Sequence, residues 1–331
     1  MKPFDFLAVG DIVTEPFIRL KEARVHCDIN DEACTISMRW GDKIPYESAV
    51  VCRAVGNAPN AAVSAARLGL TTGLVTDIGN DDIGKGDVET LKKESVSRKH
   101  VRTHKGMKSN YHYVLSYESE RTILVRHEEY PYRWPRPSPP RFMYLSSLAG
   151  NSLPYHKEIE AYLAKYPDIF VTFQPGTFQM KLGVGELGDL YRRTDLLVIN
   201  KEESERILGL PESGGEIRDL LQKTRALGPK TVIITDGREG AYSFDGTEML
   251  HIPMYPDDRA PKERTGAGDA FASTVTAALA LGKPLREALL WGPINSMAVV
   301  QEIGAQKGLL SRKQIETHLE KAPPEYRVNV L

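Results

Sequence analysis

Short apolar segments alternate with helical segments along most of this chain, and this alternation constrains the fold more than any other feature. The sequence predicts strands at residues 6–9, 72–77, 142–148, 169–173, 196–199 and 231–235, and helices at 83–94, 156–165, 216–227 and 285–303. Strands that alternate with helices form a mostly parallel sheet with helices on both faces. We therefore expect an α/β fold, and 331 residues suffice for one large domain or two small ones.

Two β-rich stretches interrupt the alternation, at about residues 17–54 and 110–127. The second contains two apolar runs separated by charged residues at 118–121, a pattern typical of a hairpin. Because neither stretch fits between a strand and its helix, we expect the two to form a small sheet outside the main one.

The composition argues against a charged polymer or a membrane as partner. The formal net charge is −1, whereas proteins that bind nucleic acid or anionic membranes usually carry a basic excess. No apolar run reaches the roughly 18 residues that suggest a membrane span, and the N-terminus lacks the pattern of a secretory signal. Three cysteines without a CxxC pair favour reduced thiols. We expect a cytoplasmic protein that binds neither nucleic acid nor membrane.

A polar, glycine-bearing loop at residues 263–268 leads directly into an alanine-rich helix. Glycine lets a ligand approach the backbone, and the free amides of a first helical turn carry partial positive charge. Gly266, Ala267 and Gly268 are therefore a candidate anion hole, with phosphate as its usual occupant. Bound phosphate would repel Asp269 unless this residue has its own role, such as taking the proton from an attacking hydroxyl. The alternative is that Asp269 only caps a packed helix.

Polar residues also follow the first predicted strand and precede a helical stretch. Asp11 and Glu15 come after the strand at residues 6–9, and ligands of open α/β sheets gather at the carboxyl ends of strands. Either acid could contact a substrate or be an ordinary turn residue. Gly56 and Asn60 open the stretch, and an Asn side chain can both donate to and accept from hydroxyls. Alone, this segment is more typical of an N-cap before a packed helix.

Asn200 and Glu203 come at the carboxyl end of the strand at residues 196–199. An amide and a carboxylate there can position hydrated Mg²⁺, which needs few protein ligands. The same pair fits an N-cap followed by an acid in the first turn, and both interpretations can hold together. The GxGxxG at residues 183–188 does not directly follow a strand, and no GxxxxGK[ST] occurs. We therefore expect neither a nicotinamide site nor a P-loop.

The loop sequence ERTGAGDAFAS at residues 263–273 resembles the C-terminal signature of the ribokinase-like (PfkB) carbohydrate kinases, D-T-x-G-A-G-D-x-F. Residues 55–62 resemble the N-terminal family signature, G-G-x-x-x-N-x-A, with Val55 at its first glycine. Weaker matches are the N-x-x-E element at residues 200–203, the T-x-G-x-x-G turn at 235–240 and the closing loop at 304–308. The resemblance covers nearly the whole chain.

This resemblance implies a single ribokinase-like domain over residues 1–331, with a mostly parallel central sheet and a small β-sheet lid from about 17–54 and 110–127. It implies Asp269 as catalytic base and residues 266–268 as anion hole. The implied substrate contacts are Asp11, Glu15, Gly56 and Asn60. The implied nucleotide contacts are Asn200, Glu203, Thr235, Gly237, Gly240 and Thr265, with Mg²⁺ held near Glu203, through water.

The implied reaction is ATP-dependent transfer of the γ-phosphoryl group to a hydroxyl of a sugar or sugar derivative, with Mg²⁺. Glu263 replaces the leading Asp of the family pattern near a monovalent-cation site, so a monovalent cation is a possible activator only. The lid also suggests a possible homodimer. Tyr111, Tyr113 and residues 174–177 are compatible with stacking a base, so a ribonucleoside kinase is the alternative. A catalytically silent sugar or nucleotide sensor is a further alternative, against which Asp269 argues, because a sensor needs no general base.

Overall fold

The protein is described by a computed structural model that covers residues 3–27, 34–117, 120–211 and 215–331. The strands are β1 (Phe6–Val9), β2 (Val13–Leu20), β3 (Arg24–His26), β4 (Thr35–Ser37), β5 (Tyr46–Val55), β6 (Thr72–Gly79), β7 (Ser97–His104), β8 (Tyr111–Tyr117), β9 (Glu120–Arg126), β10 (Phe142–Leu145), β11 (Phe170–Phe173), β12 (Leu196–Asn200), β13 (Thr231–Thr235), β14 (Ala241–Phe244), β15 (Met249–Ile252) and β16 (Asn329–Val330). The helices are α1 (Asn57–Arg67), α2 (Asp82–Lys93), α3 (Leu153–Lys165), α4 (Thr177–Arg193), α5 (Lys201–Leu208), α6 (Ile217–Ala226), α7 (Ala267–Ala280), α8 (Leu285–Val300) and α9 (Arg312–Glu320).

Ten of these strands form the central sheet, in the order β16-β15-β14-β13-β12-β11-β10-β1-β6-β7. The strands from β13 to β7 are parallel, and β14, β15 and β16 add an antiparallel edge. The predicted mostly parallel sheet is therefore confirmed. Its predicted strands and helices are all present, with ends that differ by a few residues.

Helices cover both faces of this sheet because alternate side chains of each central strand point in opposite directions. In β1, Phe6 and Ala8 belong to the core beneath α1, α7 and α8, whereas Leu7 and Val9 belong to the core beneath α3, α4 and α6. All four side chains are fully buried. A continuous apolar strand such as Phe6–Val9 is the pattern expected of a parallel strand buried on both sides.

A separate sheet contains β5, β2, β8 and β9 in that order. Strand β2 pairs antiparallel with β5 and parallel with β8, and β8 forms the predicted hairpin with β9. The two β-rich stretches thus meet in one small sheet. It begins at Val13, a few residues before the predicted start at 17. Residues 28–33 of the first stretch and 118–119 of the second lie outside the described residues.

Cys27 and Cys34 form a disulfide, which departs from the expectation of reduced thiols. They flank the two-stranded pair of β3 and β4, in which His26 lies opposite Thr35. The next residues outward on each strand are therefore the two cysteines. Spacing in the sequence could not reveal this pair, because the pairing depends on the register of the hairpin. The third cysteine, Cys52, is free.

Candidate active site

The residues predicted to form an anion hole lie at the N-terminus of α7, at the carboxyl edge of the central sheet. Gly266 is the N-cap residue, with φ of +83°, and an added Cβ would lie 2.7 Å from the Cα of Ala305. Only glycine fits this left-handed, crowded position without strain. The amide of Ala267 has a long contact of 3.4 Å to the carbonyl of Arg264, and Gly268 is exposed with open space around it. The first turn of α7 can therefore accept an anion.

Glu263 fixes the loop that precedes this turn. Its Oε1 accepts a 2.8 Å hydrogen bond from the amide of Thr265 and another from the Thr265 hydroxyl. The guanidinium of Arg121, on β9 of the small sheet, lies 3.4 Å from the same oxygen. The other oxygen, Oε2, is buried and has no hydrogen-bond partner among the described residues. Thr265, predicted to contact nucleotide, is therefore engaged in holding the loop.

Three side-chain amides hold the carboxylate of Asp269. Asn57 and Gln174 donate to Oδ1 at 2.9 and 3.1 Å, and Asn60 donates to Oδ2 at 2.8 Å. The amide orientations are fixed in turn, because the Gln174 oxygen accepts the Tyr144 hydroxyl and the Asn60 oxygen accepts Gln306 Nε2 at 3.0 Å. These networks point donors at Asp269 and favour its ionised form.

The pKa of Asp269 is raised above its ordinary value. Burial is the largest cause, while the hydrogen bonds from Asn60 and Gln174 lower the pKa and the charge of Glu15 raises it. A carboxyl with a raised pKa is a better proton acceptor than an ordinary exposed one. The alternative of a simple helix cap loses support, because the Asp269 side chain bonds to Asn57, Asn60 and Gln174 rather than to the amides of its own helix.

Each of the two candidate substrate acids is paired with a histidine. Asp11, only 6% exposed, accepts the Tyr132 hydroxyl and lies 2.8 Å from His127 Nε2. Glu15, on β2, lies 3.4 Å from His112 Nδ1. The charge of Glu15 raises the pKa of Asp269, so this acid acts electrostatically on the candidate base.

The two histidines lie side by side on this edge of the site. Their ring centroids are 5.7 Å apart, and the Phe178 ring is 6.0 Å from that of His127. His112 Nε2 is buried without a partner among the described residues. A carboxylate can only accept, so His127 donates to Asp11 through a protonated Nε2.

Two expectations about this region change with the structure. Gly56, with φ of +114°, is the N-cap of α1, and an added Cβ would lie 2.9 Å from the Asp11 carbonyl. Its glycine thus permits close backbone packing. The rings of Tyr111 and Tyr113 meet edge to face with their centroids 5.1 Å apart, on the face of β8 opposite to His112. Because His112 faces Glu15, the two tyrosines do not face the cleft and cannot stack a base there.

Asn200 and Glu203 form a reciprocal capping box at the start of α5. Glu203 N donates to Asn200 Oδ1 at 2.7 Å, and Asn200 N donates to Glu203 Oε2 at 2.9 Å. Burial is the largest cause of a raised pKa at Glu203, and the charge of Asp269 raises it further. The negative charges of the Glu203 and Asp269 carboxylates therefore repel each other. The other carboxylate oxygen, Oε1, forms no hydrogen bond with any residue of the described ranges, which fits Mg²⁺ bound mainly through water and phosphate.

A cavity of about 650 Å³ opens beside the first turn of α7. Predicted residues Thr235, Gly237 and Gly240 line it together with Ala267 and Gly268. Its other walls are largely apolar and include Met254, Phe271, Pro293, Met297 and Val300. A polar end at a helix N-terminus and an apolar opposite wall suit a molecule with phosphates at one end and a planar base at the other.

The GxGxxG at residues 183–188 lies within α4, where Gly183 makes a kink, and not at a strand-to-helix turn. No group of three or more His, Cys, Asp or Glu suited to a metal ion occurs in residues 3–27, 34–117, 120–211 and 215–331. In the same part of the chain, no helix has the length and apolar character of a membrane span.

Comparison with known proteins agrees with this geometry. A family profile described as pfkB family carbohydrate kinase matches residues 24–312. The chain belongs to this family. It is 25% identical over 317 residues to an ATP-dependent 6-phosphofructokinase of Thermoanaerobacterium thermosaccharolyticum, with 92% of this chain and 90% of that protein covered. The ribokinase-like fold and the assignment as a PfkB-type kinase are confirmed.

Two solved structures have similar folds. One is a nucleoside kinase of Methanocaldococcus jannaschii, described as an archaeal member of the ribokinase family, with a TM-score of 0.76, 20% identity and coverage of 96% of this chain and 98% of that one. The other is a ribokinase of Arabidopsis thaliana complexed with ribose and ATP, with a TM-score of 0.76, 19% identity and coverage of 96% and 99%. At these identities, the likeness shows the fold alone.

Several site residues were missed by sequence reasoning. Asn57 contacts Asp269, and His112, His127 and Tyr132 contact the two candidate acids. Gln174 was considered only as part of residues 174–177 that could stack a base, whereas its side chain contacts Asp269. Gln174 directly follows β11, so its place at a strand's carboxyl end was a usable signal. Arg264 was also missed. It stands where the PfkB pattern D-T-x-G-A-G-D-x-F has its Thr. Aligning residues 263–271 with this pattern would have shown the difference.

Proposed function

We propose that this PfkB kinase transfers the γ-phosphoryl group of ATP to a hydroxyl of a sugar or sugar derivative, with Asp269 as general base. The observation that carries the proposal is the position of the Asp269 carboxylate. It lies in the first turn of α7, held by three amides, while the amides of the same turn open into the large cavity. A base and an anion hole on one helical turn are what phosphoryl transfer to an alcohol requires.

In this reaction, the protein would contribute mainly by positioning the reactants and stabilising charge. Asp269 accepts the proton of the acceptor hydroxyl as the hydroxyl oxygen bonds to phosphorus, and the bond from phosphorus to the ADP oxygen breaks. The amides of residues 266–268 stabilise the charge of the phosphoryl oxygens. Thr235, Gly237 and Gly240 contribute to the nucleotide cavity. Mg²⁺ bound to the phosphates near Asn200 and Glu203 would neutralise part of their charge.

The acceptor would lie on the opposite side of Asp269 from this cavity, near Asp11, Glu15 and Asn60. Asn60 is buried and donates to Asp269, so we assign it to positioning the base as well as to lining the acceptor site. The small sheet of β2, β5, β8 and β9 would serve as the lid, since Glu15 and His112 project from it toward the site. A lid excludes water, which would otherwise compete with the acceptor.

The small sheet also offers a surface for a homodimer. Val51, Leu124 and Val125 are more than half exposed on its strands. These residues lie on β5 and β9, the two edge strands of the sheet, and exposed apolar side chains on edge strands are a typical feature of subunit contacts. Sedimentation equilibrium of the wild type and of Leu124→Lys tests this proposal: a dimer that the substitution dissociates supports it, and a wild-type monomer refutes it.

A ribonucleoside acceptor is the second candidate. The observation that favours it is the aromatic group of His112, His127 and Phe178, which could contact a planar base. Tyr111 and Tyr113 do not contribute to stacking the base, because both lie on the other face of β8.

The test is ADP release from purified protein with Mg-ATP over pentoses, hexoses, sugar acids, sugar phosphates and ribonucleosides. We expect turnover with one class of sugar or sugar derivative. Turnover with ribonucleosides alone would favour the second candidate. Silence across the panel, with Mg-ATP still bound in calorimetry, would contradict the proposal and favour a catalytically silent sensor.

A further inference from the structure

Arg264 lies where two cavities meet beside the anion hole. It lines the cavity of about 650 Å³, whose walls include Ala267 and Gly268. It also lines a smaller cavity of about 60 Å³ beneath the small sheet, bounded by residues such as Phe17 and Arg121. In the sequence, it precedes the N-cap of α7 by two residues. The residue therefore borders the region between the nucleotide cavity and the sheet that would close over it.

The loop on both sides of Arg264 is held in place. The backbone amides of Lys262 and Glu263 donate to the Val300 carbonyl at 2.8 and 3.2 Å. On the other side, the amide of Thr265 donates to Glu263 at 2.8 Å, and the Arg264 carbonyl accepts from Ala267. A side chain on so constrained a backbone is presented in a restricted set of directions, which is what a preorganised contact requires.

The positive charge of Arg264 is not used by the protein itself. Other cations around the smaller cavity are paired: Arg19 with Glu47 at 3.0 Å, Arg121 with Glu263 at 3.4 Å and Lys262 with Glu302 at 3.6 Å. Arg264 is exposed and forms neither an ion pair nor a side-chain hydrogen bond with any residue of the described ranges. Its guanidinium is therefore available to a ligand.

A cation at this position would offset the negative charge of the site. Three carboxylates belong to this site: Asp269 in the first turn of α7, Glu15 on β2 and Glu203 at the start of α5. A phosphoryl group entering this region adds further negative charge. The phosphoryl group and these carboxylates repel one another, because all of them carry negative charge. The backbone amides of α7 carry only partial charges to offset this repulsion.

We propose that Arg264 is a further catalytic residue, which binds the oxygens of the transferring phosphoryl group from the side of the anion hole. This inference rests on the proposed kinase function. Guanidinium suits the role because its fork of N–H donors matches two phosphoryl oxygens at once. It explains why a cation occupies the Thr position of the family pattern in this chain. Arg264 and the amides of residues 266–268 together surround the charge that develops during transfer.

The first test compares Arg264→Gln with Arg264→Lys and a matched control, Arg259→Gln. Arg259 belongs to the same loop but lines neither cavity, and its guanidinium contacts Gln301 and Glu302. We expect kcat to fall about 100-fold in Arg264→Gln, partly recovered in Arg264→Lys, with KM for ATP changed less than about threefold. Added guanidinium should restore part of the rate of Arg264→Ala. An equal loss in Arg259→Gln, or a loss confined to KM for ATP, would overturn the inference.

A second test does not depend on knowing the acceptor. Aluminium fluoride mimics the transferring phosphoryl group beside ADP, so binding of Mg-ADP is measured by calorimetry with and without it. In the wild type, fluoroaluminate should lower the dissociation constant of Mg-ADP. In Arg264→Gln, the factor by which it is lowered should be at least tenfold smaller, while the affinity for Mg-ADP alone stays the same. Equal tightening in both proteins would refute the role of Arg264. If the wild type fails to bind Mg-ADP, the kinase proposal fails instead, so the two failures are distinguishable.

Discussion

Asp87 provides a test of how the small sheet is joined to the main domain. This residue of α2 is fully buried, and its Oδ1 accepts the Thr14 hydroxyl at 2.6 Å and the Ala54 amide at 2.8 Å. Thr14 lies in β2 and Ala54 in β5, so a single carboxylate oxygen ties two strands of the small sheet to α2. The other oxygen, Oδ2, is buried without a partner among the described residues.

Burial raises the pKa of Asp87 from 3.8 to about 6, against the opposing effect of the hydrogen bonds from Thr14 and Ala54. Because the folded pKa lies above the unfolded one, the stabilising effect of the protonated carboxyl is fully present below pH 3.8 and is lost as the pH rises through about 6. At 1.36 kcal/mol per pKa unit, this residue alone should reduce the free energy of unfolding by about 1.4 kcal/mol between pH 5 and pH 8.

The assay is urea denaturation of the wild type and of Asp87→Asn at pH 5, 6.5 and 8. Asparagine does not titrate, so the difference in unfolding free energy between the two proteins should shift by about 1.4 kcal/mol across this range, with the wild type losing relative stability at high pH. The exposed Asp168→Asn is the matched control. A difference that stays constant with pH, or that shifts in the opposite direction, would refute the reasoning.

Further predictions concern the active site. Gln174→Met removes a hydrogen bond that lowers the pKa of Asp269, so the acidic limb of the pH profile of kcat/KM should move to higher pH; an unchanged limb would argue against Asp269 as the titrating base. Gly266→Ala should reduce the free energy of unfolding by at least about 1 kcal/mol, because Gly266 has a positive φ and its Cβ would meet Ala305. Gly268→Ala, whose Cβ meets nothing within 4 Å, should leave the free energy of unfolding nearly unchanged. Thermal denaturation of both variants beside the wild type measures these two effects. Chelation of Mg²⁺ should abolish turnover and its return should restore it, whereas activity in excess chelator would contradict the role given to Asn200 and Glu203.

The central sheet could be predicted because its signals are local. Apolar strands such as Phe6–Val9 and the glycine-bearing turn before α7 are read from a few consecutive residues, and parallel strands bring their carboxyl ends to one edge. The prediction therefore placed Asp11, Asn200 and Thr235 at one edge without any knowledge of contacts. In the structure, Asn200 and Thr235 lie directly opposite each other on β12 and β13.

The contacts that tune the site could not be predicted, because they join distant parts of the chain. Asn57 is 212 residues from Asp269, and Gln174 is 95 residues from it. The direction of a side chain on the small sheet depends on strand register, which is why the sequence could not show which face of β8 carries Tyr111 and Tyr113. A shift of one residue moves every side chain of a strand to the opposite face.

The most direct measurement of the central claim is the single-turnover rate of Asp269→Asn with saturating Mg-ATP and the acceptor that the panel identifies. Asp258→Asn, exposed in the loop before the anion hole, is the matched control. We expect Asp269→Asn to slow the transfer about 100- to 10,000-fold while Mg-ATP binds with nearly unchanged affinity. A variant that retains more than about a tenth of the wild-type rate would show that Asp269 is not the base, because loss of a general base costs at least about 100-fold.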